Sequence, residues 1–290
     1  MSQLSMLAAV SRPPLRLAAQ IALWVVALLI VLWFLVNAMK RSTLFFPETF
    51  PSGLWDTGLF VPQPVDHTIL TPDGVELHAW LFAADDPAAP LLIQYHGNGG
   101  NLTYRADVAE ELARRGVSVL LFDYRGYGKS RGSPSEKALY IDGLAVYDYA
   151  RMTLGFPAER IAVWGESLGG PYAADVASHR PVRCAVMQST FPSAASVANA
   201  VYKFPVGFFL GDSLPTLRAL ERARVPVLVI HGDADTIIPF RCGKALHDGL
   251  TAPKELYVIP GADHNDLPLV GGNAYVDKVA SFVRARQRPK

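Results

Sequence analysis

Three kinds of hydrophobic patterning follow one another along the 290-residue chain. The first is an unbroken run: from Leu17 to Met39, 23 residues carry no charge, with Arg12 and Arg16 before them and Lys40 and Arg41 after. At ~1.5 Å per residue a helix of that length crosses a hydrocarbon core of roughly 30 Å. The run therefore predicts a transmembrane anchor over 17–39, behind an N-terminal tail over 1–16. A cleaved signal peptide is the rival reading, with Val36-Asn37-Ala38 at cleavage-type spacing. The apolar core exceeds the roughly 7–15 residues of a signal segment, which favours the anchor. Two arginines and the α-amine on the N-terminal side place that end inside. A single-pass membrane protein with an extracytoplasmic domain is the resulting expectation. Phe45, Phe46, Phe50, Trp55 and Phe60 then alternate with Pro47, Pro51, Pro62 and Pro64. The prolines stop a helix, so 40–60 reads as a linker, either lying at the membrane interface or packing on the domain.

The second pattern is period two. Val65 to Leu70 and Val75 to Phe82 flank Thr71-Pro72-Asp73-Gly74, and the second run sets Val75, Leu77, Ala79 and Leu81 on one face. That predicts a hairpin. The third pattern alternates short apolar runs with stretches of helical spacing. The runs are 91–95, 117–122, 161–164, 184–187, 227–230 and 256–259; the helical stretches are 102–115, 135–152, 168–178, 242–250 and 274–284. Strands apolar on both faces, alternating with helices, predict an α/β domain over 61–290 with a mostly parallel sheet covered on both sides. About 40 residues after Met187 contain no strand, too long for a bare loop. The interval, about 189–225, reads as a lid of short helices. Its Phe208 and Phe209 are candidate contacts for an acyl chain.

Composition narrows the class. Half the residues are apolar, 18 % are charged and the net charge is +1, which excludes a disordered chain and gives no basic footprint for nucleic acid. The two cysteines form no metal-type cluster, and no HExxH sequence is present. Gly128-Lys129-Ser130 resembles the end of a phosphate loop, but residue 123 is Asp where that loop needs Gly. Gly97-Asn98-Gly99 lacks the third glycine of a dinucleotide fingerprint, residue 102 being Leu. No cofactor and no metal are expected.

The chemistry sits in loops that follow the predicted strands. Gly165-Glu166-Ser167-Leu168-Gly169 comes after the 161–164 strand and opens a helix, the context of a nucleophile elbow. A serine nucleophile needs a base, and the base an orienting acid. His231-Gly232-Asp233-Ala234-Asp235 follows one strand and Gly261-Ala262-Asp263-His264 the next, both at the edge where open α/β sheets place ligands. Ser167, Asp235 and His264 are the candidate triad, with Asp233 competing for the acid. His231 reads as structuring the acid loop and His247 as a helix-surface residue. The oxyanion hole needs two backbone N–H groups. Leu168 is the first candidate and Asn98, in the glycine-rich loop His96 to Asn101, the second. Asn101-Leu102-Thr103 is a glycosylation sequon lying at this site, where it is expected to be unmodified. Asp123 and Arg125 are expected to form a structural ion pair.

These motifs, in this order together with Phe122 to Ser130, resemble α/β-hydrolase-fold serine hydrolases over about residues 61 to 286. The nearest likeness is to the membrane-anchored branch with one N-terminal transmembrane segment and a small cap. The loop reads His-Gly-Asn-Gly-Gly where many lipases carry His-Gly-Gly-Gly. The resemblance implies hydrolysis of carboxylic ester or thioester bonds, with small-molecule or lipid acyl substrates, through an acyl-enzyme. A peptidase on the same fold and a non-catalytic anchored binding protein are the alternatives. Peptidases of this kind often carry a large extra domain, for which this chain has no room.

Overall fold

The computed structural model describes residues 17, 19–28, 31, 44–201, 207, 210 and 212–285. The chain divides into two compact units, 1–44 and 45–290. In the first, residues 21–28 are helical, with Leu23 and Trp24 well exposed. The expected tail over 1–16, and positions 18, 29–30 and 32–39 of the expected anchor, lie outside the described residues. Among the described residues no helix is long and apolar enough to cross a membrane.

The second unit starts at Phe45 and not at residue 61, so most of the stretch read as a linker belongs to the domain. The reason lies in the hairpin. Strands β1 (Val65–Leu70) and β2 (Glu76–Phe82) pair antiparallel, as the turn signal predicts. The period-two pattern sets Val75, Leu77, Ala79 and Leu81 on one face, yet His78, Trp80 and Phe82 on the other are buried too. Trp55 packs edge-on against Trp80 and tilted on His78, and Phe60 packs edge-on against Trp80 and Phe82, with ring centroids 5.6–6.0 Å apart. Aromatic side chains of that size bury the face more effectively than a solvated linker could.

Six further strands complete the main sheet: β3 (Leu91–Tyr95), β4 (Ser118–Phe122), β5 (Ile161–Glu166), β6 (Ala185–Gln188), β7 (Val227–Gly232) and β8 (Lys254–Ile259). The spatial order is β8-β7-β6-β5-β3-β4-β2-β1. Strand β2 runs antiparallel to both of its neighbours, β1 and β4; the pairs from β4 to β8 are all parallel. Strands β3 to β7 are almost wholly buried, which is why they read as unbroken apolar runs. Helices α1 (Ala106–Arg114) and α7 (Leu267–Ala285) cover one face, meeting Trp80, Leu92, Leu121, Trp164 and Ile230. Helices α2 (Glu136–Met152) and α3 (Gly169–His179) pack together over the other, where Gly143 lies against Tyr95 and Val176. Ser135 caps α2 through its Oγ, which accepts from the Ala138 N–H. The lid interval carries α4 (Ala194–Val201) and α5 (Thr216–Ala223), the latter packed on α3; α6 is Phe240–Gly249. Phe208 and Phe209 lie outside the described residues.

The loop after β4 departs from expectation. Arg125 does not pair with Asp123. Its guanidinium is held by Asp73 in the hairpin turn, at 2.7 and 2.9 Å, and by Asp142 in α2, at 2.7 and 2.9 Å. Asp142 is fully buried and also accepts the Arg125 N–H at 3.0 Å. The arginine thus ties the hairpin to the helix across the sheet edge. Asp123 is fully buried instead beneath the loop that follows β3. Its Oδ1 accepts the Leu102 N–H at 2.7 Å and lies 3.7 Å from His96 Nε2, and its Oδ2 has no partner among the described residues. Burial is the main cause that pushes this carboxyl up to about 8.

Two outcomes follow from this loop. Arg125→Ala leaves the Asp142 carboxylate buried without its cation and is expected to cost about 3–5 kcal/mol in urea unfolding, part of it recovered by Asp142→Asn. A loss under about 1 kcal/mol contradicts the assignment. For Asp123 the folded chain holds a proton that the unfolded chain releases above its ordinary value of 3.8. Stability is therefore lost as pH rises from about 4 to about 8, and levels off above. Asp123→Asn, which still accepts from Leu102, is expected to gain on the parent steadily across that window. A difference in unfolding free energy that does not vary with pH contradicts a buried neutral acid.

Candidate active site

Strand β5 and helix α3 meet at Ser167, whose backbone takes the left-handed conformation at φ 51°. That conformation is strained for a side chain with a Cβ, and it lifts Oγ clear of the turn. Hydrogen bonds on both sides hold it there. The Ser167 N–H donates to Gln188 O at 2.8 Å, and the Ser167 carbonyl accepts from Thr190 Oγ1 at 2.8 Å and the Gly170 N–H at 3.1 Å. The flanks must be small because strand and helix nearly touch. A Cβ on Gly165 would fall 2.5 Å from Gly170 Cα, and one on Gly169 would overlap Tyr95 O.

The loops after β7 and β8 bring two more of the expected residues to Ser167. His264 Nε2 lies 2.9 Å from Ser167 Oγ, and His264 Nδ1 lies 2.7 Å from Asp235 Oδ2. The three side chains are nearly buried. Asp235 Oδ1 accepts the Ile237 and Ile238 N–H groups at 2.9 and 2.7 Å. His231 Nε2 lies 3.1 Å from Asp235 Oδ2 and 2.8 Å from Ile238 O, so this histidine braces the acid loop as the sequence suggests. Burial alone would raise the Asp235 carboxyl; hydrogen bonds from His231 and His264 outweigh it and hold the group well below the usual carboxylate range. A carboxylate so held keeps the proton of His264 on Nδ1 and leaves Nε2 free to accept from the serine.

Asp233 does not meet His264. Its Oδ1 accepts the Gly261 N–H at 2.6 Å and staples the two loops together. Asp263 does the same from the other side, accepting from the Thr236 and His264 N–H groups, each at 2.7 Å. His247 is partly exposed on α6.

The loop after β3 lies against the elbow: a Cβ on Gly97 would come within 3.5 Å of Ser167 Cβ. His96 Nδ1 donates to Gly97 O at 2.8 Å, so Nδ1 carries the proton, and burial pushes this imidazole down to about 3. In a planar trans peptide C=O and N–H point oppositely. Fixing Gly97 O toward His96 therefore turns the Asn98 N–H away from it. Among the described residues neither the Asn98 nor the Leu168 N–H has an acceptor. Asn101 of the sequon is fully buried, its amide donating to Glu48 O and Ser52 O, so the folded chain offers no room for a glycan there.

One pair escaped the sequence reading. Arg105 grips Glu166, the residue before the serine, through two bonds of 2.7 and 3.1 Å, and reaches Gly99 O and Asn101 O at 3.3 and 3.2 Å. Gln94 Nε2 also donates to Glu166, at 3.2 Å. Burial would raise the Glu166 carboxyl, but the Arg105 charge prevails and lowers it. This fork locks the elbow to the glycine-rich loop. Glu166 stood in plain view within the serine motif, but nothing in the order of residues points to a partner 61 positions away. Among the described residues no group of three or more His, Cys, Asp or Glu side chains is arranged to hold a metal ion.

Comparison with known proteins agrees with this layout. A family profile described as alpha/beta hydrolase fold matches residues 90–213. The uncharacterized protein Rv2307c of Mycobacterium tuberculosis is 33% identical over 271 residues, 93% of this chain and 94% of that protein. Alpha/beta hydrolase domain-containing protein 17B of Xenopus laevis is 31% identical over 207 residues, 71% of this chain and 70% of its own. Among solved structures, the Pyrococcus furiosus esterase Pf2001 superimposes with a TM-score of 0.67 at 22% identity, over 84% of this chain and 99% of that one, a likeness of fold. With one antiparallel strand in an otherwise parallel eight-stranded sheet, a strained serine after its fifth strand and relatives matching over most of their length, the chain belongs to the α/β-hydrolase fold family.

Proposed function

We propose that this protein is a serine hydrolase that cleaves carboxylic ester or thioester bonds through an acyl-enzyme. The observation that carries the reading is the unbroken line from Ser167 Oγ through His264 to Asp235, at 2.9 and 2.7 Å, beside two backbone N–H groups with no acceptor among the described residues. In this reading His264 Nε2 takes the Ser167 proton as Oγ attacks the acyl carbon. Asp235 holds the Nδ1–H tautomer and steadies the imidazolium that forms. The Leu168 and Asn98 N–H groups receive the oxyanion, a contribution of about 10²–10³ in rate per donor in related chemistry. Collapse expels the alcohol or thiol, which leaves with the proton from His264. Water then repeats the sequence on the acyl-serine and releases the acid. The name of the esterase among the structural neighbours supports an ester as substrate class.

The uncharged stretch from Leu17 to Met39 serves in this reading as a single-pass anchor, with the domain extracytoplasmic and close to lipid acyl substrates. Phe208 and Phe209 are the residues we assign to the acyl chain. Protease added to intact cells is then expected to remove the domain; a fully protected domain contradicts that orientation.

Hydrolysis of p-nitrophenyl esters from acetate to palmitate tests the chemistry. Wild-type turnover is expected, and Ser167→Ala is expected to lower kcat by several orders of magnitude, about 10⁴ or more. Equal turnover by the two proteins would sink the assignment.

A further inference from the structure

The segment through which the chain enters the domain is hydrogen-bonded to the oxyanion loop. Phe46–Pro47 runs as a short parallel strand beside Gly99–Gly100. The Phe46 N–H donates to Asn98 O at 2.8 Å and the Glu48 N–H to Gly100 O at 3.2 Å. Glu48 Oε2 accepts from Tyr104 Oη at 2.6 Å. On its other side the same segment is held by the turn after β4. The Gly128 N–H donates to Glu48 O and the Phe50 N–H to Gly128 O, both at 2.9 Å. Residues 46–50 therefore form a strap closed between two loops. Phe46 itself is 53% exposed, so its backbone and not its side chain makes the attachment.

We infer that this strap, through the Phe46 and Glu48 N–H groups, positions the oxyanion hole, so that residues 46–48 are positioning residues for the reaction. The inference rests on the serine-hydrolase reading above. Asn98 contributes its N–H to the hole from one face of the loop and its carbonyl to the strap on the other. That carbonyl accepts from the Phe46 N–H and from Tyr127 Oη, at 2.8 and 2.9 Å. His96 and Arg105 hold the loop from within. The strap and Tyr127 hold Asn98 O from the opposite side. With glycine at 97, 99 and 100 the loop has little stiffness of its own, and its direction must come from such bonds. A donor displaced by about 1 Å costs on the order of 10² in rate, because oxyanion stabilisation depends on a group already in place. The sequence also places the strap directly after the apolar N-terminal segment.

The test uses the full chain. Phe46→Pro removes the N–H that reaches Asn98, and Phe46→Ala keeps it and serves as the reference. Relative to Phe46→Ala, Phe46→Pro is expected to lower kcat for p-nitrophenyl acetate by about tenfold or more with KM within about twofold, the signature of an interaction made in the transition state. Amide hydrogen exchange over residues 98–101 is expected to quicken in the same variant. Should Phe46→Pro fail to fold, Glu48→Pro against Glu48→Ala removes the N–H to Gly100 and reads the same quantities. A kcat within twofold of the reference, or a rise in KM alone, overturns the strap's role while wild-type turnover leaves the hydrolase reading standing. Absence of wild-type turnover fails the hydrolase reading and with it the catalytic role; unchanged exchange over 98–101 independently shows that the strap does not hold the loop.

Discussion

Ser167 occupies a left-handed backbone conformation at φ 51°, and much of the molecule is arranged around keeping it there. A strained residue persists only where its surroundings over-determine it. Here the surroundings are the carboxyl edge of a parallel sheet, with Gln188 and Thr190 from the next strand and its loop bonded to the serine's own peptide groups. The glycines around the serine let strand and helix approach until a Cβ at 165 or 169 would collide with backbone. The strand order then delivers the other partners. Strands β7 and β8 end on the same edge, and their loops carry Asp235 and His264 to within hydrogen-bond reach.

Charge inside this edge is handled in two ways. Arg105 grips Glu166, and Arg125 grips Asp73, through both carboxylate oxygens, and Arg125 also donates twice to Asp142 Oδ1. Each joins segments distant in sequence, so each works as a fastener more than as a source of net stability. Asp123 and His96 take the other course. Burial raises the one and lowers the other, so that both are held toward their neutral forms, His96 within the glycine-rich loop and Asp123 beneath it.

Much of this was legible in residue order. A serine between glycines after a buried strand, followed two strands later by an acid and then by a histidine, is a pattern that local chemistry and topology constrain together. The alternation of apolar runs and helical stretches gave the sheet and its helices because buried parallel strands leave that imprint. What escaped depended on side chains meeting across long intervals. Asp73 lies 52 positions before Arg125, and Asp123 stood closer in sequence but points elsewhere. Pro47, the prolines that follow it and the neighbouring aromatics make the strap look like a linker; its attachment is made by backbone groups, on which side-chain patterning is silent. The burial of the β2 face under Trp55 and Phe60 is different: it depends on aromatic side chains that meet the strand from about 20 positions away.

The central claim is that Ser167 is the nucleophile. It is tested most directly by treating the full-length protein with a fluorophosphonate and mapping the adduct by peptide mass spectrometry. A single adduct on Ser167, lost when His264 is replaced by Ala, is the predicted result. An adduct on another residue, or none under conditions that label a known serine esterase in the same tube, would contradict it.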